Sequence, residues 1–177
     1  MPRIYLGIGS NIERERHVAI ALDALADRFG ELAVSPVYEA PALGFAGDPF
    51  LNLVVGVDGD LPLRTLADEL RALERAHGRP PNATRNSPRR LDIDILTYGD
   101  RVGTQEGVEL PRGEILTSAF VLRPLAALAP EDRHPASGET YAALWARFDQ
   151  AAQPIRAVPF TWRGRELTPG PEGAPGL

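Results

Sequence analysis

Cysteine is absent from all 177 residues, which rules out disulfides, a thiolate nucleophile and zinc–sulfur sites. Lysine is absent as well, so all 19 basic residues are arginine. No Walker-type lysine, Schiff-base lysine or lysine general base can operate, and any phosphate must be handled by guanidinium groups. Histidine is reduced to His17, His77 and His134, with no pair at the four-residue spacing of a helical zinc site; each reads as structural or exposed. No apolar run approaches the roughly 20 residues that cross a bilayer. Met1-Pro2-Arg3 leads directly into a strand-like segment rather than a signal peptide, so the expectation is a cytoplasmic protein with no membrane partner. A formal net charge of −5 argues against a nucleic-acid partner, which calls for a basic surface.

A hydrophobic content of 44% and a charged content of 24% are those of an ordinary globular domain. The length predicts one domain, 1–166, followed by a Pro/Gly-rich tail over 167–177 with no core content, expected to be disordered.

Residues 85–98 concentrate the chemistry. In a strand over 91–98, side chains alternate, so Leu91, Ile93 and Ile95 suit a core while Asp92 and Asp94 share the other face, roughly 6–7 Å apart. Two such carboxylates repel unless a cation sits between them, and Mg²⁺ is commonly held by one or two carboxylates plus substrate phosphates. Just upstream, Arg79, Arg85, Arg89 and Arg90 place four guanidinium groups within twelve residues without an intervening acid. Cations beside a metal point to a polyphosphate.

The rest of the chain supplies a frame. Ile4, Leu6 and Ile8 alternate as a first strand, ending in Gly9-Ser10-Asn11, read as a turn and helix N-cap. Val18, Ala21, Leu22, Leu25 and Phe29 recur at helical spacing and Gly30 closes the helix. Residues 32–38 read as one edge or bent strand marked by Pro36, and 40–49 as a loop. Residues 50–57 form a third strand with Phe50, Asn52 and Val54 on one face. A buried amide at Asn52 must find partners, either backbone or a ligand with a donor–acceptor edge such as a pterin or purine. Leu63, Leu66, Leu70 and Leu73 make a core stripe on a helix with Pro62 near its first turn; Glu74, one residue off, reads as half of a surface Arg–Glu pair. Phe120 leads an apolar helix broken or bent by Pro124, a helix over 141–148 follows, and 158–162 is a last strand. The order βαββαβ plus trailing helices fits an antiparallel α+β sandwich with helices on one face.

Ordered motifs then carry a resemblance. Gly9-Ser10-Asn11, Pro41-Ala42-Leu43-Gly44, Phe50-Leu51-Asn52, Glu74 with Gly78-Arg79, the run at 87–95, Leu110-Pro111 and the apolar block at 119–125 together resemble the 6-hydroxymethyl-7,8-dihydropterin pyrophosphokinases over residues 3–160. The resemblance implies a ferredoxin-like α+β fold and transfer of pyrophosphate from ATP to the pterin hydroxymethyl group, with AMP released. Asp92 and Asp94 match the ligands of two Mg²⁺ ions, and Asp94 also matches a helper in removing the hydroxyl proton. Phe50 and Phe120 match the aromatic pair around the pterin; Asn52 and the backbone of Ala40, Ala42 and Leu43 match its edge contacts. Arg79 and Arg89 match catalytic phosphate contacts, with Arg85 in the same ATP-binding loop, while Glu74 and Ile95 fall at nucleotide-contacting positions. A single chain, acting as a monomer on its two small substrates, is expected.

Several positions depart from the pattern. Arg112 stands where the family has histidine after Leu-Pro, Ser118 replaces a basic residue, Asn86 a loop tryptophan and Pro81 a loop arginine. Arg112 offers more donors and a permanent charge for the phosphate contact. The alternative that these departures raise is a paralogue that binds pterin or nucleotide with altered or lost activity. A ferredoxin-like RNA-binding module is disfavoured by the net charge and the acidic strand.

Overall fold

The computed structural model describes residues 1–41, 48–77 and 91–169. β1 (Arg3–Ser10) leads to α1 (Arg14–Phe29), then β2 (Ala33–Val34), β3 (Val37–Ala40), β4 (Phe50–Asp58), α2 (Leu63–Ala76) and β5 (Asp92–Tyr98). A hairpin, β6 (Gly103–Gln105) and β7 (Val108–Leu110), precedes three helices, α3 (Glu114–Thr117), α4 (Ala119–Leu128) and α5 (Tyr141–Ala146). The chain ends in β8 (Arg156–Val158) and the small hairpin β9 (Thr161–Trp162) and β10 (Arg165–Glu166).

The main sheet has the order β5-β1-β4-β3-β8, with β2 also on β4, and its pairs are antiparallel. Counting β2 and β3 as one interrupted strand, this is the ferredoxin-like arrangement, with β8 added at one edge. The interruption follows from Pro36, which has no N–H to give to a ladder. Ser35 compensates: its hydroxyl accepts the Val54 N–H at 2.9 Å and donates to the Pro36 carbonyl at 2.7 Å.

Helices cover both faces of the sheet, not one as the sequence suggested. Ile4, Leu6 and Ile8 of β1 pack with Leu51, Leu53 and Val55 of β4 against α1 and α2. On the other face Tyr5, Val54 and Leu96 pack against α3, α4 and α5. The second layer exists because α4 is apolar nearly all round and Pro124 does not break it; the helix runs on to Leu128.

Other expectations are corrected in detail. β1 runs through Ser10, so Gly9-Ser10-Asn11 is not a helix cap; α1 starts after Glu13, which adopts a left-handed conformation at φ 41°. Pro62 immediately precedes α2. Leu167 is buried in the core, and the Thr168 hydroxyl accepts the Val37 N–H at 2.9 Å. The folded unit therefore extends past 166, and the tail does have core content at its start. His17 and His134 are buried and bonded to backbone, as structural histidines should be. Among the described residues no helix is long and apolar enough to cross a membrane.

Candidate active site

Between the sheet and α4 lies a cavity of about 260 Å³, just below the range of about 300–1,000 Å³ typical for drug-sized ligands and suited to one small ring system. Its space comes from β1. On the face that looks toward α4, β1 carries Tyr5, Gly7 and Gly9, so two successive positions put no side chain into the volume. At Gly9 a Cβ would lie 3.0 Å from Oδ1 of Asn52; glycine there lets the carboxamide lie across the strand.

Asn52 is 7% exposed and lines the cavity, and its side chain has no hydrogen-bond partner among the described residues. A buried amide left unpaired costs about 1–3 kcal/mol. A ligand that offers both a donor and an acceptor removes that cost. Phe50, the first residue of β4, and Phe120, the second residue of α4, line the same cavity from opposite walls. Ala40, at the end of β3, completes the rim beside Pro41.

The charged half adjoins this one by register. Gly9 is the ladder partner of Asn52 on one side and of Asp92 on the other; Gly7 likewise joins Val54 to Asp94. Asn52 and Asp92 thus end one cross-strand row, about 10 Å apart from two strand spacings. Burial and the neighbouring Asp92 carboxylate push the Asp94 carboxyl up to about 7, against the pull of Arg112 and Arg71. The two guanidinium groups flank Asp94, each with a nitrogen 3.7 Å from one of its oxygens. Both are tied elsewhere: Arg71 to Glu74 at 2.6 Å, and Arg112 to Glu114 at 2.8 Å.

This arrangement fits Mg²⁺. The inner carboxylate is disfavoured as an anion by burial and by its neighbour, so a cation beside it relieves both. Asp92 and Asp94 offer two carboxylates on one strand face, and Mg²⁺ is usually held by one or two carboxylates with substrate phosphates and water completing its shell.

Glu74 corrects the surface-pair expectation. It is fully buried, and its Oε2 accepts the Ile93 N–H of β5 at 2.7 Å. Glu74 therefore holds the carboxylate strand to α2. Neither Glu74 nor Ile95 brings its side chain to the cavity; Ile95 packs in the core on the opposite face. Since Ile93 turns its N–H away from β1, ladder alternation turns the main chain of Ile95 the same way, along the outer edge of β5. Ala42, Leu43, Arg79, Arg85, Arg89, Arg90, Pro81 and Asn86 lie outside the described residues. Sequence reading missed Arg71, Glu114 and Gly7. Glu114, two residues after Arg112, carried no motif signal, while Gly7 was legible as the second glycine on one face of β1.

Fold and site together define a ferredoxin-like α+β protein in which a small-ring pocket abuts a carboxylate pair suited to a cation. Residues 5–130 match the family described as 7,8-dihydro-6-hydroxymethylpterin-pyrophosphokinase, and the chain belongs to that family. It is 40% identical over 138 residues to the 2-amino-4-hydroxy-6-hydroxymethyldihydropteridine pyrophosphokinase of Pseudomonas aeruginosa, covering 75% of this chain and 84% of that protein. The protein of the same description from Methylorubrum extorquens is 38% identical over 135 residues, 74% of this chain and 85% of its own. Among solved structures, a triple mutant of Plasmodium falciparum HPPK-DHPS with SDX-DHP is similar with a TM-score of 0.70 at 14% identity. That match covers 93% of this chain and 46% of the solved one, and supports the fold alone.

Proposed function

We propose that the chain transfers pyrophosphate from ATP to 6-hydroxymethyl-7,8-dihydropterin, giving AMP and the pterin diphosphate in folate biosynthesis. The observation that carries the reading is the row Asn52–Gly9–Asp92. It sets a buried amide, without a side-chain partner among the described residues, in a ring-sized cavity about two strand spacings from a carboxylate pair. The pterin edge pairs with Asn52, its ring lies between Phe50 and Phe120, and its hydroxymethyl group reaches toward Asp92 and Asp94.

The hydroxyl oxygen attacks the β-phosphorus of ATP, the bond from that phosphorus to the α,β-bridging oxygen breaks, and AMP leaves. Asp92 and Asp94 hold Mg²⁺, two ions in this reading, which offsets phosphate charge and fixes the triphosphate when bound. In this reading Asp94 helps to take the hydroxyl proton. Arg79 and Arg89 bind the phosphates by their match to the family pattern, Arg85 joins them from the same loop, and Arg112 adds a contact from the cavity wall. Ile95 meets the adenine through its main chain, and Glu74 supports the nucleotide side by fixing β5. The backbone of Ala40, Ala42 and Leu43 completes the pterin contacts. One copy of the chain suffices, as a cytoplasmic monomer.

Arg112 favours the second reading, a paralogue with altered or lost activity, because it ties itself to Glu114 and faces Asp94 where the family has histidine. Incubation with Mg²⁺, ATP and 6-hydroxymethyl-7,8-dihydropterin, followed by chromatography of the nucleotides, separates the two. AMP that forms only with pterin present and vanishes with EDTA is the expected result. A folded protein that binds pterin but makes no AMP sinks the enzyme reading.

A further inference from the structure

We propose that Arg14 is a positioning residue for the pterin pocket, joining the end of β3 to the start of β4 at its outer wall. Resting on the function proposed above, the inference adds a residue that makes no contact with either substrate. Arg14 opens α1 and is largely sheltered, its side chain 24% exposed. Its Nη2 lies 2.6 Å from Oε2 of Glu39, and its Nη1 donates to the Pro49 carbonyl at 3.0 Å. Glu39 directly precedes Ala40, and Pro49 directly precedes Phe50.

Ala40 and Phe50 are ladder partners, the terminal pair of β3 and β4, and both line the cavity. Terminal pairs open most readily, because nothing beyond them holds the strands together. One planar guanidinium gripping both sides closes that end. A lysine, with a single ammonium, cannot span the two groups in the same fork.

Two further contacts point the same way. Asn11, from the connection that leads into α1, donates to the Asp48 carbonyl at 3.1 Å. Arg156 of β8 holds the other oxygen of Glu39 at 2.8 Å, and Arg14 followed by Arg156 keeps the Glu39 carboxyl below the usual carboxylate range. Arg14 also approaches Glu15 at 3.4 Å, a mostly exposed and weaker partner. The carboxylate pair on β5 lies on the far side of β1 from this clamp, so its loss should be felt by the pterin and not by the nucleotide.

Dissociation constants for 6-hydroxymethyl-7,8-dihydropterin and for Mg²⁺–ATP, measured separately on wild type, Arg14→Gln, Arg14→Lys, Glu39→Gln and the Arg14→Gln/Glu39→Gln double variant, test this. Arg14→Gln should weaken pterin binding about tenfold while ATP binding stays within about twofold. Arg14→Lys should fall between it and wild type, and the double variant should be little worse than Arg14→Gln, because both substitutions cut the same link. Parallel loss of both ligands, the mark of a general folding defect, overturns the proposal; so does unchanged pterin affinity. A wild-type chain that fails to bind the pterin overturns the functional reading and this inference together.

Discussion

The pterin half and the nucleotide half of the site are built on different principles. Asn52, Gly9, Phe50 and Phe120 are neutral groups fixed by ladder register and by the packing of α4. Apart from the Asn52 amide, which has no side-chain partner among the described residues, the pocket exists at little cost before a ligand arrives. Asp92, Asp94, Glu74 and Glu114 instead set four carboxylates against the two guanidinium groups of Arg71 and Arg112, and burial together with the neighbouring Asp92 pushes the Asp94 carboxyl up to about 7. Recognition by shape can be made in advance, whereas recognition by charge stores repulsion that only the ligand relieves.

The largest effect that follows is at Asp94. Asp94→Asn should lower kcat by on the order of a thousandfold, since carboxylate-held cations supply several kcal/mol to the transition state, and quenched-flow measurement of AMP checks it. The same substitution should stabilise the ligand-free protein. A carboxyl whose folded value exceeds its ordinary 3.8 contributes stability below that value and loses it as pH rises through about 7. The Tm of Asp94→Asn at pH 8 should therefore exceed that of wild type, by about 1 kcal/mol or more in stability. A lower Tm would show that the charged half is not strained.

Glu74→Ala comes next. It removes the acceptor of the Ile93 N–H and the nearer carboxylate of Arg71, which keeps Asp94 at 3.7 Å, and should cost about 2–4 kcal/mol by urea denaturation; a surface-pair role predicts well under about 1 kcal/mol. Arg112→Ala should weaken apparent ATP affinity about tenfold while pterin affinity holds. Equal ATP affinity would mean that Arg112 serves only Glu114 and Asp94. The smallest effect concerns His134, which lies outside both halves. Its Nδ1 accepts the N–H groups of Ala136 and Ser137, and burial holds its value below 6.5. This contribution to stability is present above pH 6.5 and lost as pH falls below it, so His134→Asn should flatten the acid limb of a Tm–pH profile without touching either ligand.

Local alternation made much of this legible. The pattern of β1 and β4 placed Asn52 and Phe50 together, and the period of two in β5 put both aspartates on one face. Glu74 was misread because a stripe at 63, 66 and 70 continues as naturally to 74 as to 73, and a carboxylate there looks solvent-facing until its partner is known. That partner, the Ile93 N–H, lies nineteen residues on. Arg14 gave no signal at all, since the two partners it links come from residues 39 and 49 and meet it only in the folded sheet. The second helical layer was hidden by treating the apolar 119–128 segment as broken at Pro124.

The claim on which the rest depends is that the buried amide between Gly9 and the aromatic walls reads a pterin edge. Fluorescence titration of Asn52→Ala with 6-hydroxymethyl-7,8-dihydropterin, paired with calorimetric titration of Mg²⁺–ATP on the same sample, tests it directly. Pterin affinity should fall by about 10- to 100-fold while ATP affinity is unchanged. Pterin affinity equal to wild type would contradict it.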